Sequence, residues 1–235
     1  MCGRYSLAGP DPAQLRARFP LGESVELRQR FNICPDDPIA AVTTSEEGEP
    51  RGELLRWGLV PHWSKGPGKG PKMINARAES ITEKPAYRDA LKTRRCLIPA
   101  DGFYEWQSRE GRPKLPWHVT RKRGEPFAFA GLWAVWHGKG DETVRTATII
   151  TTHANSLLAD IHDRMPVILE GPDEEAAWLD HGMPQDALVE LLHPLADGET
   201  TRRAVSTAVS NAHNDTAECL EDADPAELEA AEKLF

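Results

Sequence analysis

The chain has 235 residues, of which 40% are hydrophobic and 28% charged, with a net charge of −9. That is the composition of an ordinary soluble globular protein with enough chain to bury a core. No stretch approaches the roughly 20 apolar residues of a membrane span, and Met1–Pro20, with Arg4, Asp11, Arg16 and Arg18, lacks the apolar run of an export signal. No membrane association is expected, and the cytoplasm is the expected compartment. The four cysteines, at 2, 34, 96 and 219, form no C-x-x-C pair, so neither a zinc site nor disulfides are expected.

The acidic total hides an asymmetry. Residues 1–123 hold 22 Lys and Arg against 15 Asp and Glu, a balance of +7; residues 124–235 hold 6 against 22, a balance of −16. A basic first half is compatible with a polyanionic partner that the bulk charge would argue against.

In chain order, Asp11 and Pro12 open a predicted helix over 11–19, as cap and first-turn proline. Residues 45–52 read as a turn between strands at 39–44 and 53–60, and the Gly/Pro-rich run 64–71 as a loop. A helix follows at 85–93, then a strand over 95–106 with a bend at Asp101-Gly102. Strands are expected near 115–121, 126–136 and 144–152. Helices are expected at 155–160, 172–180 and 184–193, and a strand at 204–209. The acidic tail 220–235 has a helix start at Asp224, Pro225 and Glu227. The whole reads as one α+β domain over 1–219 with a mostly antiparallel sheet.

Cys2 is the unusual feature. Its small neighbour Gly3 and its own size permit removal of Met1, which leaves a thiol and a free α-amine on adjacent atoms. With reference pKa values of about 8.5 and about 7.7–8.0, both are partly nucleophilic near neutral pH. Such a 1,2-aminothiol condenses with an aldehyde to an imine and then closes a thiazolidine; alternatively, the thiolate attacks an acyl group. Glu105 lies in a strand among Phe103, Tyr104 and Trp106, where lost solvation would raise its pKa toward the range useful for acid/base work. His162 precedes Arg164, Met165 and Pro166 and is a candidate proton donor. Asn75 and Arg77 follow the glycine-rich loop; an Asn can fix an amine and an Arg can hold a phosphate. Trp63 and Trp106 are candidates for stacking on bases, although tryptophans also fill cores.

The segments Met-Cys-Gly-Arg-Tyr (1–5), Arg-Trp-Gly-Leu-Val-Pro-His-Trp (56–63), Asn-Ala-Arg-Ala-Glu (75–79), Gly-Phe-Tyr-Glu-Trp (102–106) and His-Asp-Arg-Met-Pro (162–166) together resemble the SOS response-associated peptidase (SRAP) family, the abasic-site processing proteins. The resemblance runs from Met1 to about Cys219. It implies a barrel-like β core with peripheral helices. It implies that Cys2 is the crosslinking nucleophile, that Asn75 positions its α-amine, that Glu105 is the acid/base group, and that His162 assists opening of the deoxyribose ring. It further implies that Arg4, Arg77 and Arg164 contact phosphates and that Trp63 and Trp106 pack on DNA. Some relatives place an aromatic near position 71, where this chain has Pro71. The implied partner is single-stranded DNA carrying abasic sites, bound by a monomer near the nucleoid, with no metal or organic cofactor. Three rival readings remain: an N-terminal-nucleophile amidotransferase, a peptidase, and a non-covalent DNA reader in which Cys2 is incidental.

Overall fold

The computed structural model describes residues 2–45, 47–70 and 72–224; Met1, Pro71 and the expected tail helix beyond Asp224 lie outside the described residues. In chain order the elements are β1 (Tyr5–Leu7), α1 (Pro12–Arg18), β2 (Arg30–Ile33), β3 (Pro38–Thr44), β4 (Pro50–Trp57), β5 (Asn75–Arg77), α2 (Pro85–Thr93), β6 (Arg95–Ala100), β7 (Gly102–Arg109) and β8 (Arg112–Arg121). There follow β9 (Phe127–His137), β10 (Thr143–His153), β11 (Arg164–Pro166), α3 (Pro172–Leu179), α4 (Gln185–Glu190) and β12 (Thr200–Ala204). No helix among the described residues is long and apolar enough to cross a membrane.

Two sheets form. One closes on itself in the order β10-β4-β3-β6-β9 and back to β10, a five-stranded barrel in which only the β4–β10 pair is parallel. The other is open and antiparallel, in the order β12-β8-β7-β1-β2. This is the expected α+β class with a mostly antiparallel, barrel-like core. Closure removes sheet edges that would otherwise need protection. The barrel strands are rich in Val, Ile, Phe and Ala, and β6 is buried along its whole length because helices cover it. Arg95, at its start, is 2% exposed. Its guanidinium donates to the carbonyls of Leu91 and Lys92 at the end of α2 and of Trp178 and Asp180 at the end of α3. A buried cation there satisfies carbonyls that helix ends leave unpaired and lies at the negative ends of both dipoles.

The bend expected at Asp101-Gly102 is the passage from one sheet to the other. Asp101 fixes it by accepting from the Ser6 hydroxyl (2.5 Å) and from the backbone N–H groups of Ala8 and Gly9. Gly102 is required because a Cβ there would meet His118 Nε2 at 2.1 Å. Ser6 also lies 2.9 Å from His118 Nε2. The trio looks like a serine nucleophile with its base, but the hydroxyl donates to Asp101 and both Ser6 and His118 are buried. It is a structural lock.

Four expectations are corrected. Residues 156–161 form successive turns where a helix was expected over 155–160, and Asn155 Nδ2 donates inward to Leu195 O and Thr200 Oγ1 (both 3.1 Å). The strand expected at 204–209 ends at Ala204; Ser206 then caps a 3-10 turn over Thr207–Ser210 by accepting from Ala208 N. The helix expected at 184–193 spans only Gln185–Glu190, with Pro194 stopping it soon after. The single strand 95–106 is two strands in two sheets.

Burial pushes His118 from its ordinary 6.5 down to about 3. The unfolded chain therefore binds a proton near pH 6.5 that the native chain refuses, so this group's contribution to stability is lost as pH falls. At pH 5 the loss is about 2 kcal/mol. Chemical denaturation at pH 7 and pH 5 should show His118→Gln losing less stability on acidification than the wild-type chain.

Candidate active site

The chain start enters the interior of the open sheet, next to its edge strand. β1 lies between β2 and β7, with Tyr5 opposite Phe103 and Tyr104 N donating to Arg4 O. Cys2 and Gly3 run on from this pairing, and the charge of Glu105 acts on the Cys2 thiol. Cys2 is fully buried. Burial, and then the charge of Glu105, push its thiol well above the ordinary cysteine range. Glu105 is 3% exposed and faces Trp117 across β8. Burial raises its carboxyl to about 7, against the opposing positive charge of the chain terminus. The expected elevation of this carboxylate is therefore present, with loss of solvation as its leading cause.

His162 sits just before β11. Its pKa is held below the ordinary histidine value, first by burial and then by the chain-terminal charge. Asp163 and Lys114 act on both Glu105 and His162, so the two side chains share one electrostatic environment. Nδ1 of His162 accepts from Arg164 N at 2.9 Å, which puts the proton of the neutral ring on Nε2. Asp163 Oδ1 also lies 2.9 Å from Nδ1. That contact becomes an ion pair when the ring is protonated.

The two short strands β5 and β11 flank the end of β10 on opposite sides: Thr151 faces Arg77 on one side and Pro166 on the other. Asn75 opens β5, and Tyr87 on α2 donates to its carbonyl (3.1 Å). Both atoms of the Asn75 side-chain amide are buried without a hydrogen-bond partner. Leaving a buried donor or acceptor unmet costs about 1–3 kcal/mol.

The expected phosphate-binding and stacking residues fall into two groups. Arg77 is exposed and makes no ion pair among the described residues. Trp63 is 54% exposed, edge-on to His62 at 4.7 Å. It borders a groove of about 440 Å³ that also carries Arg56, Lys65, Lys69 and Lys72. Asp36 pairs with Arg56 and Lys72 (2.8 and 2.6 Å), and Lys65 and Lys69 make no ion pair among the described residues. Cys2, Glu105 and His162 do not line this groove; it lies beside the chemistry. The others are held by the protein. Arg4 donates to Asn32 Oδ1 and Val209 O, Trp106 donates to Ser210 Oγ (3.0 Å), and Arg164 pairs with Glu79 (2.5 Å).

Sequence reasoning missed Glu79, Tyr87 and Lys114. Glu79 stood in a quoted motif without a role; Tyr87 and Lys114 act from elements that only folding brings near. Among the described residues no three His, Cys, Asp or Glu side chains cluster as a metal site would need.

Comparison with known proteins adds the following. The family profile described as SOS response associated peptidase (SRAP) matches residues 1–212. The abasic site processing protein YoaM of Bacillus subtilis is 41% identical over 227 residues, covering 94% of this chain and 98% of that protein. The abasic site processing protein HMCES of Mus musculus is 37% identical over 201 residues, covering 72% of this chain and 56% of that protein. A crystal structure of a protein from Bacteroides thetaiotaomicron superposes with a TM-score of 0.81 at 26% identity, covering 94% of this chain and 99% of that one.

The raised Glu105 carboxyl has a measurable consequence. Native Glu105 keeps its proton up to about pH 7, whereas its ordinary value is 4.5, so its contribution is complete below pH 4.5 and is lost as pH rises through 7. The interval corresponds to about 3 kcal/mol. Denaturation of Glu105→Gln at pH 5 and pH 8 should show the variant losing less stability on the alkaline side than the wild type. An equal loss in both proteins would mean that Glu105 is not buried as described.

Proposed function

The chain belongs to the SOS response associated peptidase family, and on that premise we propose that it processes abasic sites in single-stranded DNA by bonding to them covalently through Cys2. The observation that carries this reading is the meeting of Cys2 with Glu105: a buried thiol beside a buried carboxyl whose pKa is raised to about 7. The names of the relatives supply the lesion; the chemistry of the residues supplies the bond.

Removal of Met1 is the one peptide cleavage the reading needs, and it frees the α-amine of Cys2. The raised thiol pKa orders the steps. A protonated thiol is a poor nucleophile, so the amine attacks first. It adds to the C1 aldehyde of the opened deoxyribose, and loss of water gives an imine. The Asn75 amide, with an unmet acceptor and donor, receives the amine N–H and the sugar oxygen. Glu105, its carboxyl raised to about 7, gives its proton to the hydroxyl that leaves as water, while the Nε2–H of neutral His162 hydrogen-bonds that oxygen, and the imine forms protonated. The Glu105 carboxylate then takes the thiol proton while sulfur bonds to the imine carbon, and the ring nitrogen keeps the proton it already carries. The product is a thiazolidine joining protein and DNA, and the aminothiol supplies all of its reactivity. Arg77, Lys65 and Lys69 provide exposed cations for phosphates, and Trp63 a face for a base.

The test is a denaturing gel after mixing the protein with an oligonucleotide carrying one abasic site. The wild type should give a shifted band that Cys2→Ala does not give, and Glu105→Gln should form it roughly a hundredfold more slowly. Binding to intact single-stranded DNA should weaken as salt rises. A shifted band of equal intensity from Cys2→Ala would remove Cys2 from the chemistry. Binding by Cys2→Ala, with no covalent band from the wild type, would leave a non-covalent reader. Release of glutamate from glutamine would favour an amidotransferase.

A further inference from the structure

Glu79 lies in the 3-10 turn Ala78–Ser80 directly after β5. Its carboxylate receives both ends of the Arg164 guanidinium, Nη1 at 2.5 Å and Nη2 at 3.0 Å. Arg164 Nη2 also donates to Thr151 O at 2.6 Å. The ion pair therefore bridges across β10: Glu79 belongs to the segment on one side and Arg164 to the strand on the other, with Thr151 between them. The Arg164 side chain is only 12% exposed while that of Glu79 is 53% exposed. The anion is thus a reachable bracket on a largely buried cation. Two parallel charge-assisted hydrogen bonds fix orientation as well as distance. Arg164 is also the residue whose backbone N–H bonds Nδ1 of His162.

We propose that Glu79 is a positioning residue for His162. By clamping Arg164 across β10, it holds the 162–164 backbone so that, in the neutral ring, Nδ1 accepts from Arg164 N and the proton is kept on Nε2. It also fixes the spacing between β11 and β5, which bears Asn75. Glu79 touches no reacting atom in this scheme. The role rests on the proposed crosslinking reaction for its consequence but not for its geometry.

The pair of measurements separates the two. First, nitrogen chemical shifts of the His162 ring, recorded on the protein alone near pH 7.5, report the tautomer without any DNA. Wild type should show the Nε2–H form. Glu79→Gln, which keeps size but cannot accept two bonds from the guanidinium, should show a mixture, and Glu79→Asp should lie between. Second, the rate of crosslinking to an abasic oligonucleotide should fall roughly tenfold or more in Glu79→Gln, with a shifted pH profile and unchanged affinity for intact single-stranded DNA. Arg164→Lys, which cannot bind both carboxylate oxygens and Thr151, should reproduce the tautomer mixture and serves if Glu79→Gln does not fold. An unaltered tautomer in folded Glu79→Gln or Arg164→Lys overturns the proposal, as does a rate loss matched by an equal loss of DNA affinity. A wild-type chain that forms no crosslink would sink the proposed function, while the ring shifts would still decide the role of Glu79.

Discussion

Everything at the site depends on the docking of a three-residue strand. Chain termini usually fray, yet β1 lies inside the open sheet, hydrogen-bonded to β2 on one side and β7 on the other. Its far end is closed by Asp101, which accepts from Ser6, Ala8 and Gly9. Its near end is held through Arg4, which donates to Asn32 and Val209. Asn32 in turn gathers the carbonyls of Val209, Asn211 and Asn214, so the last described segment of the chain braces the first. Without this docking Cys2 would be a mobile terminal residue, and the buried carboxyl of Glu105 would have no thiol beside it.

The site is electrostatically unfavourable by construction. Burial raises a carboxyl and a thiol together and depresses a neighbouring histidine, and the Asn75 amide has no partner. Buried groups of this kind are costly to fold around, and perturbed ionisation concentrates where proton transfer is needed. The structure offsets the cost elsewhere, through the closed barrel and through Arg95, which satisfies four carbonyls at two helix ends. His118 and Glu105 also respond to pH in opposite senses, so their effects on stability partly cancel between about pH 5 and 7.

Local signals made part of this legible in the sequence. The cap and proline of α1, the turn before β4, the bend at Asp101-Gly102 and the long strands β8, β9 and β10 follow from residue pattern. The three-residue strands β1, β5 and β11 do not, since three residues carry no periodicity and their pairing is decided by tertiary contacts. The inward bonds of Asn155 were hidden for the same reason, because Thr200 arrives from 45 residues away. At the site, the aromatic neighbours of Glu105 foretold its burial. The anchoring of Arg4, Trp106 and Arg164 within the protein was invisible, because their partners Asn32, Ser210 and Glu79 lie far off in sequence.

The most direct test of the central claim is peptide mapping by mass spectrometry of the protein after reaction with an abasic oligonucleotide trimmed to its lesion. The account predicts an amino-terminal peptide lacking Met1, carrying the sugar on Cys2, with both the α-amine and the thiol closed to acylating and alkylating reagents. A sugar attached to a lysine, or to Cys2 with its thiol still open to alkylation, would contradict it.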